Sequence, residues 1–143
     1  MRRHLAALVT LALMPFAMAA CGGDGESEEG EGERTTVACS GTPVTTTDLP
    51  GDFPDVDGVT YTDAATAGPS QIVDGYYEGS LEDAYEAYKA AFPDAGYEVL
   101  FDELEENDSE VAWKGGRRTG IVALRANCEE SGRVSVHITS RPQ

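Results

Sequence analysis

Cysteine and histidine are the scarcest chemistry-bearing side chains here: Cys21, Cys39, Cys128, His4 and His137. A Ser or Cys nucleophile needs a base that an acid orients, and a zinc site needs three or four His or Cys ligands. His4 lies in a segment read below as an export signal, so His137 alone remains, on the expected outward side of a strand between Ser135 and Thr139. HExxH, GxSxG, P-loop and GxGxxG patterns do not occur in the sequence, which removes the usual footholds of metalloprotease, hydrolase and nucleotide chemistry. With 26 Asp and Glu, a pair of acids spaced for glycoside hydrolysis arises by chance. Asp102, Glu103, Glu105, Glu106, Asp108 and Glu110 read as a solvated hairpin. Asp52, Asp55 and Asp57 precede Gly58, but Phe53 breaks the spacing of a calcium loop. No enzyme activity, metal or cofactor is therefore expected. The basic cluster Lys114, Arg117 and Arg118 flanks Gly115-Gly116, where backbone amides and guanidinium groups are suited to a phosphate or carboxylate. The simpler reading is a hairpin tip whose charges are satisfied by neighbouring carboxylates.

Residues 1–20 begin with Arg2 and Arg3 and continue as an apolar run from Leu5 to Ala20, interrupted by Thr10 and Pro15. The run is short for a permanent membrane span and has the layout of a signal peptide. Ala19 and Ala20 stand directly before Cys21, followed by Gly22 and Gly23. This stretch resembles the lipobox of bacterial lipoproteins, which ends in small residues and a cysteine. The resemblance implies cleavage before Cys21, a diacylglyceryl thioether on its sulfur and a further acyl group on its amine. Since each buried methylene contributes about 0.8 kcal/mol, two or three chains anchor firmly where one does not. The alternative is a cut after Ala19 or Ala20 that releases a secreted protein. Residues 21–38 are then the acylated cysteine and a linker: Gly22 to Glu33 holds glycines and acids with no hydrophobe, so nothing in it can pack and its charges repel.

The length of 143 residues supplies one core, and a formal charge of −16 opposes binding to nucleic acid or adsorption on an anionic bilayer. With Cys21 assigned to lipid, Cys39 and Cys128 form an even pair in an exported chain and are expected to make a disulfide. A reactive thiol or metal ligand would need a partner that the neighbouring sequence lacks. Residues 39–143 form the expected domain.

Ser40 to Asp57, rich in Thr, Pro, Gly and Asp, reads as irregular chain with Leu49 and Phe53 plugging a core edge. Strand patterns run from Val59 to Thr62 and from Gln71 to Glu78, a hairpin. Ser80 with Asp83 opens a helix whose apolar stripe is Leu81, Ala84, Tyr85, Tyr88 and Phe92, closed by Pro93 and Gly96. Four alternating runs follow: Tyr97, Val99 and Phe101; Val111 and Trp113; Val122, Leu124, Ala126 and Cys128; Val134, Val136 and Ile138. Turn residues at Glu106-Asn107-Asp108, Gly115-Gly116 and Ser131-Gly132 separate them. The expectation is an α+β fold of order ββαββββ, one helix on an antiparallel meander of four to six strands, tied by a disulfide, with the second sheet face largely exposed to water. Most of the aromatics Tyr76, Tyr77, Tyr85, Tyr88, Tyr97 and Trp113 fall at core spacing.

From Leu49 onward the chain also resembles small domains of uncharacterised function in bacterial envelope lipoproteins. The residues that carry this are Leu49-Pro50 with Phe53-Pro54, Gly79-Ser80-Leu81-Glu82, the helix around Tyr85 to Tyr88, Ala95-Gly96-Tyr97 and Trp113-Lys114-Gly115. These are packing and turn residues and imply no activity. The functional expectation is a membrane-anchored, extracytoplasmic, non-enzymatic module that binds an envelope protein or polymer. The alternative is a carrier or sensor of a small apolar ligand held between helix and sheet.

Overall fold

A computed structural model describes residues 35–45 and 49–143; Cys21, the signal segment and most of the acidic linker lie outside the described residues. The elements are β1 (Val59–Ala67), β2 (Ser70–Glu78), α1 (Leu81–Asp94), β3 (Glu98–Leu104), β4 (Asp108–Gly115), β5 (Arg118–Arg125) and β6 (Arg133–Pro142). All six strands join one antiparallel sheet in the order β1-β2-β6-β5-β4-β3, and α1 packs on one face against β3, β4 and β5. The class is α+β. Only β3 to β6 run as a meander. The helix carries the chain from β2 to the far edge at β3, and β6 then returns to pair with β2. Among the described residues no helix is long and apolar enough to cross a membrane.

Local chemistry sets the ends of α1. The Ser80 hydroxyl accepts from the Asp83 backbone N–H at 3.1 Å, and the Asp83 carboxylate accepts from the Ser80 N–H at 3.4 Å, a reciprocal cap. At the other end the Tyr97 N–H donates to the Phe92 carbonyl at 2.8 Å and the Gly96 N–H to Pro93 at 3.0 Å. This closure needs a left-handed residue, and Gly96 supplies φ +80°. Pro93 does not end the helix as its position in the sequence implies. It sits in the last turn, where only its own missing N–H bond is lost, and Gly96 stops the chain.

The buried face of α1, Leu81, Ala84, Tyr85, Tyr88 and Phe92, meets Trp113, Val111, Val122, Leu124, Val136 and Ile138 of the sheet. Phe92 stacks on Trp113 at 5.8 Å between centroids, with Phe53 edge-on to Trp113 at 5.2 Å and Tyr97 tilted at 5.6 Å. Phe53 and buried Leu49 thus plug the core from the irregular segment. Gly120 lies opposite Trp113 across β4 and β5, where a Cβ would stand 1.8 Å from the Thr139 carbonyl oxygen and 2.7 Å from the indole.

Four strand details differ from the periodicity. First, β1 continues through Ala64 to Ala67, residues of low strand propensity that pair in register with β2. Second, β5 stops at Arg125; Ala126 is exposed, and Cys128 instead forms a parallel bridge with Val37. Third, Tyr76 is buried on the face opposite the core, under the Arg133 guanidinium 4.2 Å from its ring, while Tyr77 packs on the core side. Fourth, β3 carries a bulge at Leu100: Val99 pairs with Trp113 but Phe101 pairs with Ala112. One extra residue exchanges the faces of everything after it. Phe101 therefore turns outward, 52% exposed, and Asp102 turns toward the helix.

Cys39 and Cys128 are bonded, with Cα atoms 5.3 Å apart. Around them residues 35–45 form a strap over the second sheet face. The Val37 N–H donates to Asn127 and its carbonyl accepts from Glu129, both at 2.9 Å, and the Val44 N–H donates to the Tyr61 carbonyl at 2.9 Å. The second face is thus covered at its β1-β2-β6 corner rather than open throughout. Gly32–Gln143 forms a compact unit that holds the whole described core and the disulfide.

Removing the disulfide by Cys39→Ala with Cys128→Ala frees a loop of sequence separation 89 and should cost about 2–5 kcal/mol in urea unfolding. Gly120→Ala should cost about 3 kcal/mol or more, while Gly51→Ala, with nothing within 4 Å of its Cβ, should stay within about 0.5 kcal/mol by the same measurement.

Candidate functional site

The outward residues of the sheet fall into cross-strand rows. One row reads Ala65, Ile72, Thr139, Ile121, Ala112 and Phe101 across all six strands, each paired in register with the next. It is apolar apart from one threonine. Ile121 is 39% exposed and Leu100, pushed out by the bulge, 51%. A concavity of about 590 Å³ follows this row, lined by Ile72, Leu100, Ala112, Ile121, Thr139 and Arg141. Such a run of exposed side chains on one face is the kind of patch that marks a contact surface.

The rows on either side carry opposite charge. Toward the strap run Asp63, Asp74, His137, Ala123, Glu110 and Glu103. Toward the β4–β5 hairpin run Arg141, Thr119, Lys114 and Glu98. His137 is exposed as expected but has a partner that sequence reasoning missed: its Nδ1 lies 2.6 Å from the Asp74 carboxylate, directly across the strand pair. The two are 63 residues apart in sequence, and only the β2–β6 pairing joins them.

The basic cluster does not converge. Gly116 and Arg117 form the turn with φ +53° and +61°, the geometry of a tight two-residue hairpin. Lys114 points outward into the basic row. Arg118 folds back, its Nε donating to the Ser140 hydroxyl at 2.6 Å and its Nη2 to the Ser140 carbonyl at 2.9 Å. Among the described residues none of the three forms an ion pair with a carboxylate; the hydroxyl and carbonyl oxygens of Ser140 accept from Arg118 instead. Asp52, from the acidic run before Gly58, accepts from the Tyr97 hydroxyl at 2.8 Å. No three His, Cys, Asp or Glu side chains converge as a metal site among the described residues.

At the strap, the Cys39 N–H donates to Glu130 at 2.7 Å and the Cys39 carbonyl accepts from Arg133 at 2.7 Å. The backbone N–H lowers the Glu130 pKa. On the helix side the bulge brings Asp102 to Lys89, 2.8 Å away, and to the Tyr85 hydroxyl. The Lys89 and Tyr85 hydrogen bonds hold the Asp102 carboxyl below its ordinary value, and the same bonds raise the Lys89 ammonium. The alternation of Tyr97, Val99 and Phe101 gives no sign of it; the bulge appears only in the pairing of β3 with β4. An apolar ligand between helix and sheet would have to displace Trp113, Tyr88 and Phe92, all fully buried.

No family model, no curated protein and no solved structure matches the chain.

Asp102 titrates lower in the folded than in the unfolded chain, so its contribution is present above the unfolded carboxylate value and is lost as pH falls through the folded one. Asp102→Asn should therefore lower the melting temperature slightly at pH 7, the pair being solvent-screened, and the gap to the unsubstituted chain should close below about pH 4 in a melting series.

Proposed function

We propose that the chain is a lipid-anchored envelope module without catalytic function, held on the extracytoplasmic side of the cell membrane by acylated Cys21 and binding through its open sheet face. The observation that carries the binding part is the exposed apolar row from Ala65 to Phe101, which a domain with no contact to make would gain by replacing with polar residues. A core already filled by Trp113 and Phe92 favours a surface contact over a ligand enclosed beneath the helix. The anchor is supported by the order of residues 1–33: charged start, apolar run, small residues, cysteine, then an acidic glycine-rich tether. Strong negative charge on tether and domain opposes collapse onto an anionic membrane surface, which keeps the sheet face available. The Lys114 and Arg141 side chains supply local positive charge on that face, and a protein or polymer of the envelope is the partner class it suits.

Expressed in a bacterial host with labelled palmitate, the chain should take up label and partition into detergent, and Cys21→Ser should abolish both. A full-length chain that remains unacylated, or label that survives Cys21→Ser, overturns the anchor.

A further inference from the structure

The open face has a property that a general contact surface does not require: its three rows are complementary to themselves. The apolar row has an acidic row on one side and a basic row on the other. When a second copy is laid face to face by a twofold axis running along the apolar row, each strand lies over its own equivalent. Apolar residues then meet apolar residues, and each acidic row lies over the other copy's basic row. The alternative twofold, along the strands, would set acid over acid.

We propose that the partner of this face is a second copy of the chain, and that the protein is an isologous dimer of stacked sheets; this rests on the open face being the binding surface. In that stack Ile121 packs against Ile121 of the second copy and Phe101 against its equivalent. Lys114 stands over Glu110 of the second copy, because both lie on β4 on opposite sides of the apolar row. Arg141 stands over the His137 and Asp74 pair, because Arg141 and His137 are placed in the same way on β6. The twofold makes each of these contacts twice. Glu98 over Glu103 is one unfavourable match, at the β3 edge. The strap borders the acidic row, sharing a cavity with Asp74 and His137, at the corner that faces the end of the second copy's β1–β2 hairpin.

Size and charge set the strength. Six strands about 4.8 Å apart and three rows about 6.8 Å apart give a footprint on the order of 600 Å² per copy. The total of about 1,200 Å² is at the lower bound of stable interfaces, so the dissociation constant should be on the order of micromolar. The net negative charge of both copies opposes association. It is screened over a Debye length of about 8 Å at physiological salt, whereas the rim pairs are in contact. Attachment of both copies to one surface would raise their effective concentration.

The test is sedimentation velocity on Gly32–Gln143 from about 1 to 200 µM in about 0.15 M salt, a range that brackets the expected affinity. The expected result is a monomer that passes to a dimer across this range, with Ile121→Lys weakening association by at least about tenfold. Lys114→Glu should weaken it about three- to tenfold, and adding Glu110→Lys to Lys114→Glu should restore it, since the swap exchanges the charges facing across the axis. Melting curves check that each variant folds; Ile121, Lys114 and Glu110 all point outward, away from the core. A monomer throughout the range overturns the second copy as partner and leaves the open-face reading standing. A dimer that Ile121→Lys leaves intact forms through another surface and overturns the stacked-sheet dimer. A dimer weakened by Ile121→Lys but not restored by the charge swap overturns the twofold along the row.

Discussion

A six-stranded sheet has two faces to hide from water, and the described residues supply one helix of 14 residues to hide them with. At 1.5 Å per residue the helix is about 21 Å long and about 10 Å across, whereas six strands span about 29 Å. It covers the β3-β4-β5 side of one face, and the aromatic cluster of Phe92, Trp113, Tyr97 and Phe53 concentrates buried area where it lies. The irregular segment with Leu49, Phe53 and Val56 supplies the remaining cover on that face, which is why a loop contributes to the core.

Among the described residues the other face receives only the strap. The disulfide holds that strap at a corner, where the Cys39 N–H donates to Glu130 and the Cys39 carbonyl accepts from Arg133, whose guanidinium also covers buried Tyr76. The covalent bond and the hydrogen bonds act at the same place, so the corner is secured without a second helix. Beyond the strap the described residues leave the apolar row of that face partly exposed.

The β3 bulge links the two faces. By adding Leu100 to one side of a strand pair, it sends Phe101 to the open row and Asp102 to the helix, where Lys89 and Tyr85 receive it. One residue thus adds Phe101 to the outer face beside Leu100 and adds a polar contact between α1 and β3. A regular β3 would have placed Phe101 inside and Leu100 and Asp102 outside.

Local pattern alone determined a good deal: α1 with its apolar stripe and Ser80 cap, the inward alternation of β4, β5 and β6, the β1–β2 hairpin and the α+β class. Each depends on residues a few positions apart, which the periods of helix and strand expose directly. The Cys39–Cys128 bond was also legible, because reading residues 1–21 as an export signal ending in an acylated cysteine leaves two cysteines and one pairing. Only tertiary structure decided the face of Phe101, the end of β5, the place of Tyr76, the scatter of Lys114, Arg117 and Arg118, and the union of His137 with Asp74. It also decided that outward residues of six separate strands align into one apolar row between opposite charges. Register between strands is a long-range quantity: it is set by which strands pair and where a bulge slips them, and no window of local sequence contains it.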